Sequence, residues 1–150
     1  SFQNVKRRME VRGTVNNVTI YDDFAHHPSA IATTLDGLAR QLAQSKQKSR
    51  ILAVLEPRSN TMKLGTMKAQ LADSLKDADL VFCHSGGLGW DPREPLAVLG
   101  SRAHVADNIE ELLKQIMLSV QPGDTIVCMS NGGFGGIHGK LLAALQHLAG

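Results

Sequence analysis

Three short apolar runs constrain the fold of this chain more than any other feature: Arg50–Leu55 (RILAVL), Leu80–His84 (LVFCH) and Asp124–Met129 (DTIVCM). Each reads as a strand covered on both faces, the pattern of a buried parallel sheet. Helical spacing fills the intervals. Ser29–Gln44 carries Ile31, Leu35, Leu38 and Leu42 at steps of four, three and four, an amphipathic stripe, and Pro28 just ahead suits a helix start. Asn60–Lys76 places Met67, Leu71 and Leu75 on one face, and Asn108–Val120 is a helix capped by Asp107 or Asn108. Ile137–Leu148 forms a closing helix.

The remaining segments complete the pattern. Val5–Arg12 and Val18–Tyr21 carry β-branched residues and read as strands, with Asn16-Asn17 suited to the positive φ of a tight hairpin turn. Ser85–Gly100 is a loop, punctuated by Gly86, Gly87, Gly89, Pro92 and Pro95, and Ala103–Val105 is a brief edge strand. Strand and helix therefore alternate, which predicts an α/β, Rossmann-like three-layer domain. Its mostly parallel sheet of about six strands has helices on both faces and an antiparallel N-terminal edge. The 150 residues make one domain, large enough to hold a core without a disulfide or metal.

Composition removes several function classes. Sixteen Lys and Arg against 14 Asp and Glu give a net charge of +2, too small for a general nucleic-acid binder. No apolar run reaches membrane-spanning length and the N-terminus lacks a signal-peptide core, so no membrane partner and a cytoplasmic location are expected. Cys83 and Cys128 lie in strand runs and read as reduced core residues.

In a sheet of this kind, ligands bind beyond the carboxyl ends of the strands. Those ends are Tyr21-Asp22-Asp23, Glu56-Pro57-Arg58, His84-Ser85-Gly86 and Ser130-Asn131-Gly132, which should share one rim. Asp22-Asp23-Phe24-Ala25-His26-His27-Pro28 is the densest cluster of chemistry. Two carboxylates and two imidazoles would suit a divalent cation, but adjacent histidines diverge on a strand or a helix. The other readings are an Asp accepting from a ribose hydroxyl, or a turn in which Asp23 or His27 satisfies free helix N–H groups. Ser130-Asn131-Gly132-Gly133-Phe134-Gly135-Gly136 joins a strand to a helix and suits a carboxylate or phosphate. It is not a P-loop: counting back from Gly139-Lys140, Phe134 occupies the first glycine position and Leu141 the Ser/Thr position. Arg58, within Glu56-Pro57-Arg58-Ser59-Asn60, could grip a carboxylate with two parallel bonds, or lie in a solvated loop. Arg7, Arg8 and Arg12 on the first strand read as a basic edge that blocks sheet-to-sheet pairing. Trp90 is a loop anchor or a ligand stack, and His104 and His147 are structural.

Taken together, Arg7-Arg8-Met9-Glu10 and the Asp22–Pro28 string resemble the start of the C-terminal domain of the Mur ligases, which assemble the peptide of bacterial cell-wall precursors. The Asp22–Pro28 string is similar to that of the branch joining L-alanine to UDP-N-acetylmuramate. Glu56–Lys63 and Met129–His138 look more like the branch that joins recycled L-alanyl-γ-D-glutamyl-meso-diaminopimelate to the same acceptor. The resemblance spans essentially the whole chain. It implies a fold like the one derived above and an ATP-dependent ligase, in which a muramyl carboxylate becomes an acyl phosphate that the incoming amine attacks. It further implies that Arg8 approaches the nucleotide phosphates and that Asp23 binds the ATP ribose. His26 and His27 would complete the closed catalytic site. Arg58, Ser59 and Asn60 would bind the incoming tripeptide, facing Ser130, Asn131, Gly132, Gly133 and Gly135. At Gly135 some members use a serine side chain, which backbone N–H groups would replace here.

The same resemblance implies that this chain is one lobe of a larger enzyme. UDP-binding and ATPase domains, the latter holding most of the Mg2+, lie outside it, so the lobe alone is expected not to turn over ATP and no metal is assigned to it. Two other readings compete: a metal-dependent hydrolase using Asp22, Asp23, His26, His27 and His84, and a non-catalytic nucleotide- or peptide-binding module.

Overall fold

The computed structural model describes residues 7–46, 48–57 and 64–149. Six strands alternate with helices: β1 (Glu10–Val15), β2 (Val18–Asp23), α1 (Pro28–Ala43), β3 (Ile51–Glu56), α2 (Leu64–Ser74), β4 (Leu80–His84), α3 (Arg93–Leu96), β5 (Ala103–Ala106), α4 (Ile109–Ser119), β6 (Thr125–Ser130) and α5 (Ile137–Ala149). The sheet order is β1-β2-β6-β3-β4-β5, with β1 antiparallel to β2 and every other pair parallel. This is the mixed, three-layer sheet that the sequence predicts.

β3 shows why the sheet is buried on both faces. Ile51, Ala53 and Leu55 pack with Ile31, Leu35 and Leu38 of α1 and with Leu71 of α2. Leu52 and Val54 pack instead with Leu112 and Ile116 of α4 and with Ile137, Leu141 and Leu145 of α5. Alternate residues thus feed two separate cores, and burying each of the Leu, Ile and Val side chains contributes about 2 kcal/mol. Cys83 and Cys128 are free and buried, one in each core. Among the described residues no helix is long and apolar enough to cross a membrane.

The first strand differs from expectation. It runs Glu10–Val15 rather than Val5–Arg12, whose first two residues lie outside the described set. Asn16 and Asn17, at φ 55° and 59°, make a two-residue turn that pairs Val15 with Val18, so the strand must continue past Arg12. At its other end Met9, at φ 44°, breaks the extended path, and Phe24 N–H donates to Arg7 O at 2.8 Å. Arg7 and Arg8 therefore precede the strand and do not form the expected basic edge. Arg12 sits in a β-bulge between Val11 and Gly13. Gly13 is required opposite α5, because a Cβ there would lie 2.9 Å from Leu142 Cδ2.

The Ser85–Gly100 loop also holds more structure than its glycines and prolines suggest. It contains α3 and the start of a 3-10 turn over Ala97–Arg102, with Leu96 buried in the α1 core. Of the two candidate caps of α4, Asn108 is the one used: its Oδ1 accepts from Glu111 N–H at 2.8 Å.

Candidate functional site

Parallel pairing brings four strand ends level. Asp23 pairs with Met129, Leu55 with both Met129 and Cys83, and Glu56 with Ser130. Asp22 and Asp23, Ser130, Glu56 and His84 consequently stand side by side across β2, β6, β3 and β4, as the shared rim requires.

At the β2 end, the paired aspartates face opposite ways and do different work. Asp22, 2% exposed, accepts two hydrogen bonds from Arg7 Nη1, at 2.9 and 3.0 Å, while Arg7 Nη2 donates to Ser130 O at 2.7 Å. Arg12 lies 3.7 Å and His138 Nε2 3.6 Å from the same carboxylate. Burial lowers the pKa of His138, Asp22 opposes that shift, and Arg12 and Arg7 reinforce it. Asp23 faces the α1 side. Its Oδ1 accepts from Met9 N–H at 2.9 Å, and its Oδ2 from Ala25 N–H at 2.9 Å and Thr34 Oγ1 at 3.0 Å.

Beside Asp23 opens a cavity of about 560 Å³, walled by Arg8, Met9 and Phe24 on one side and by Thr33, Thr34 and Gly37 of α1 on the other. Arg8 is exposed. The two residues expected to meet a nucleotide thus share one cavity. A carboxylate offers about four lone-pair sites, and three protein donors leave Asp23 with about one for a ligand hydroxyl.

His26 and His27 do not diverge. The segment between β2 and α1 is neither strand nor helix, and it sets the two rings 4.1 Å apart at 45°. His26 Nδ1 lies 3.0 Å from Phe24 O, and the Phe24 ring meets the His26 ring edge-on at 5.2 Å. Burial, then the neighbouring His26, lowers the His27 pKa. The helix start is held by backbone, with Ile31 N–H donating to His27 O at 2.8 Å. Neither Asp22 nor Asp23 joins the histidines, and among the described residues no group of three or more His, Cys, Asp or Glu could hold a metal ion.

The glycine loop is built from within. Ser130, 1% exposed, donates its hydroxyl to Glu56 Oε1 at 2.6 Å and accepts from Gly132 N–H at 3.0 Å. Gly136 N–H donates to Gly133 O at 3.0 Å, so two of the loop's N–H groups are engaged inside it. Asn131, Gly133 and Gly135 are exposed, and Gly132 is half-buried. Gly135 has φ +58°, and a Cβ there would lie 2.8 Å from Ile109 Cγ1. Its neighbour Phe134 is buried and meets the His84 ring edge-on at 6.2 Å. Arg58, Ser59 and Asn60 lie outside the described residues.

Arg7, Glu56, His84 and His138 carry much of this rim, although sequence reasoning gave none of them a leading role. The available signal was register: Glu56 is the charged residue ending an apolar run, and its parallel neighbour is Ser130. Trp90 packs against the α1 core, which fits the loop-anchor reading, and His104 stacks on Phe82 at 5.0 Å and 10°.

The chain is 49% identical over 150 residues to UDP-N-acetylmuramate--L-alanyl-gamma-D-glutamyl-meso-2,6-diaminoheptandioate ligase of Escherichia coli K12, covering 99% of this chain and 32% of that protein. It therefore spans about a third of the length of the curated relatives it matches. Among solved structures, a murein peptide ligase from Psychrobacter arcticus superposes with TM-score 0.81 at 44% identity, over 93% of this chain and 30% of that one. A domain described as coming from a ligase with the same tripeptide in its name, from Haemophilus ducreyi, superposes with TM-score 0.78 at 50% identity. That match covers 92% of this chain and 99% of the other. Residues 7–132 match the family described as "Mur ligase, glutamate ligase domain", and this chain belongs to that family.

Proposed function

We propose that this chain is the C-terminal lobe of an ATP-dependent, amide-forming ligase that joins L-alanyl-γ-D-glutamyl-meso-diaminopimelate to UDP-N-acetylmuramate during cell-wall peptide recycling in the cytoplasm. The observation that carries this reading is the 49% identity over 99% of the chain to a relative bearing that name. Relatives from Crocosphaera subtropica and Anaeromyxobacter dehalogenans, named for L-alanine instead, are 32% and 29% identical. In this reading the muramyl carboxylate takes the γ-phosphoryl group of ATP, the tripeptide amine attacks the acyl phosphate, and amide, ADP and phosphate result.

The residues of this lobe bind and orient. The cavity beside Asp23 fits a ribose, since its wall offers one buried carboxylate acceptor while the exposed Arg8 supplies positive charge for phosphates. When bound, ATP with Mg2+ supplies the phosphoryl group and charge neutralisation. In this reading the Mg2+ is held mainly by the ATPase domain of the parent enzyme. His26 and His27 line the turn that faces the closed site. Arg58, Ser59, Asn60 and the Asn131–Gly133 segment receive the tripeptide. Closing this lobe onto the other domains brings the amine to the acyl phosphate and keeps out hydrolytic water.

NMR titrations of the labelled chain test the reading. Tripeptide should shift Arg58–Asn60 and Ser130–Gly136, ATP should shift Arg8 and Asp23, and phosphate release should stay at background. Binding of L-alanine with no response to millimolar tripeptide would instead place the chain in the L-alanine branch.

A further inference from the structure

At the centre of the rim, between β6 and β4, stands a carboxylate that pairs with no lysine or arginine among the described residues. Glu56 ends a strand whose other five residues are buried, and its side chain is 22% exposed. Ser130 Oγ–H fixes Oε1 at 2.6 Å, and Gly132 N–H holds that hydroxyl in turn. Oε2 faces His84 Nδ1 at 3.9 Å, beyond hydrogen-bond distance, and that buried Nδ1 has no hydrogen-bond partner. The rim's other two carboxylates are occupied: Asp22 by Arg7, with Arg12 and His138 close by, and Asp23 by three donors. Among the described residues no lysine or arginine pairs with Glu56. A half-buried carboxylate held rigidly with one oxygen open calls for a cationic group.

We propose that Glu56 is the acceptor for the ammonium of the incoming L-alanyl residue, with Ser130 as its positioning residue. The inference rests on the tripeptide reading above and adds the atom that recognises the reacting end. An α-amino group is mostly protonated at neutral pH, its usual pKa being about 7.7–8.0, so it arrives as a cation. Glu56 sits mid-sheet, flanked by strands on both sides, which suits the end of the peptide that must reach the water-excluded centre. The distal amine of diaminopimelate belongs further out.

The test compares three ligands on the 150-residue chain by NMR titration. These are the tripeptide, the same molecule with propionyl in place of L-alanyl, and the same molecule lacking the distal amine. Propionyl removes the reacting amine without adding bulk. The wild-type chain should bind the tripeptide on the order of tenfold more tightly than the propionyl form, as expected for a hydrogen-bonded ion pair. Glu56→Gln, which retains an acceptor for Ser130, should bind the two alike while keeping the wild-type backbone fingerprint. Ser130→Ala should narrow the ratio without abolishing it. An unchanged ratio in Glu56→Gln would overturn the assignment and leave the tripeptide reading standing. So would a loss of discrimination confined to the distal amine. No response to any of the three ligands would overturn both.

Discussion

Arg7 and Asp22 form a two-bond pair, at 2.9 and 3.0 Å, that locks the segment before β1 onto the end of β2. The second nitrogen of the same guanidinium reaches Ser130 O at 2.7 Å, so one side chain spans the ends of β2 and β6. Asp22 is 2% exposed, and removing its principal partner leaves a buried charge facing only the looser Arg12 and His138 contacts. Arg7→Met should destabilise the chain by about 3 kcal/mol in urea unfolding, the range for breaking a buried pair. Arg7→Lys keeps the charge but not the fork, and should fall between wild type and Arg7→Met. Equal stability of all three proteins would show that Arg12 suffices for Asp22.

Glycine 135 and glycine 133 make a matched pair. At Gly135 the φ of +58° and the 2.8 Å approach to Ile109 Cγ1 both oppose a side chain, whereas at Gly133 φ is −79° and nothing lies within 4 Å. Gly135→Ala should lower stability by about 1–2 kcal/mol. Gly133→Ala should stay within about 0.5 kcal/mol of wild type. Thermal unfolding of the two variants side by side checks the contrast, and a similar loss in both would contradict it.

The α/β class, the parallel pairing and the shared rim were legible because they rest on apolar periodicity, which burial enforces along the whole length of an element. β4 begins and ends where its LVFCH run does. The hairpin turn is legible too, yet β1 lies further along the chain than Val5–Arg12, because a two-residue turn at Asn16-Asn17 extends the pairing past Arg12 to Val15. The rim chemistry was harder to read. Asp23 stands out in sequence, but its three donors come from Met9, Ala25 and Thr34, and only the third dimension joins them. Arg7 looked like an edge cation because its target, Ser130 O, lies 123 residues away.

Two histidines tie stability to pH. Burial lowers the pKa of His138, and burial with His26 lowers that of His27. For each, the folded chain binds a proton less readily than the unfolded chain, whose histidines titrate near about 6.5. Above that pH both states are neutral and the full stability is present. As the pH falls below it, the unfolded chain takes up protons first and stability is lost. The urea midpoint should therefore fall between pH 7.5 and pH 5.5. Around His138 the facing charges are Asp22, Arg12 and Arg7, and Asp22 alone opposes the shift. His27→Gln combined with His138→Gln should flatten the slope, and a slope unchanged in the double variant would assign it to other groups.

Asp23 and Thr34 separate support of the fold from binding. The Thr34 hydroxyl takes one of the acceptor sites on Asp23 at 3.0 Å, and both residues wall the 560 Å³ cavity. Thr34→Val vacates that site while leaving the Met9 and Ala25 bonds in place. The variant should lose about 1 kcal/mol of stability, the worth of one hydrogen bond. Asp23→Asn should lose more, because one amide oxygen cannot serve donors on both sides of the group and its NH2 would face a donor. If the cavity receives a ribose, ATP should still shift Arg8 and Gly37 in Thr34→Val, and its binding should weaken in Asp23→Asn and for the ribose-lacking ligand triphosphate. ATP shifts confined to Asn131–Gly133, with Arg8 and Gly37 silent, would move the nucleotide to the glycine loop. The Asp23 side of the rim would then be purely structural.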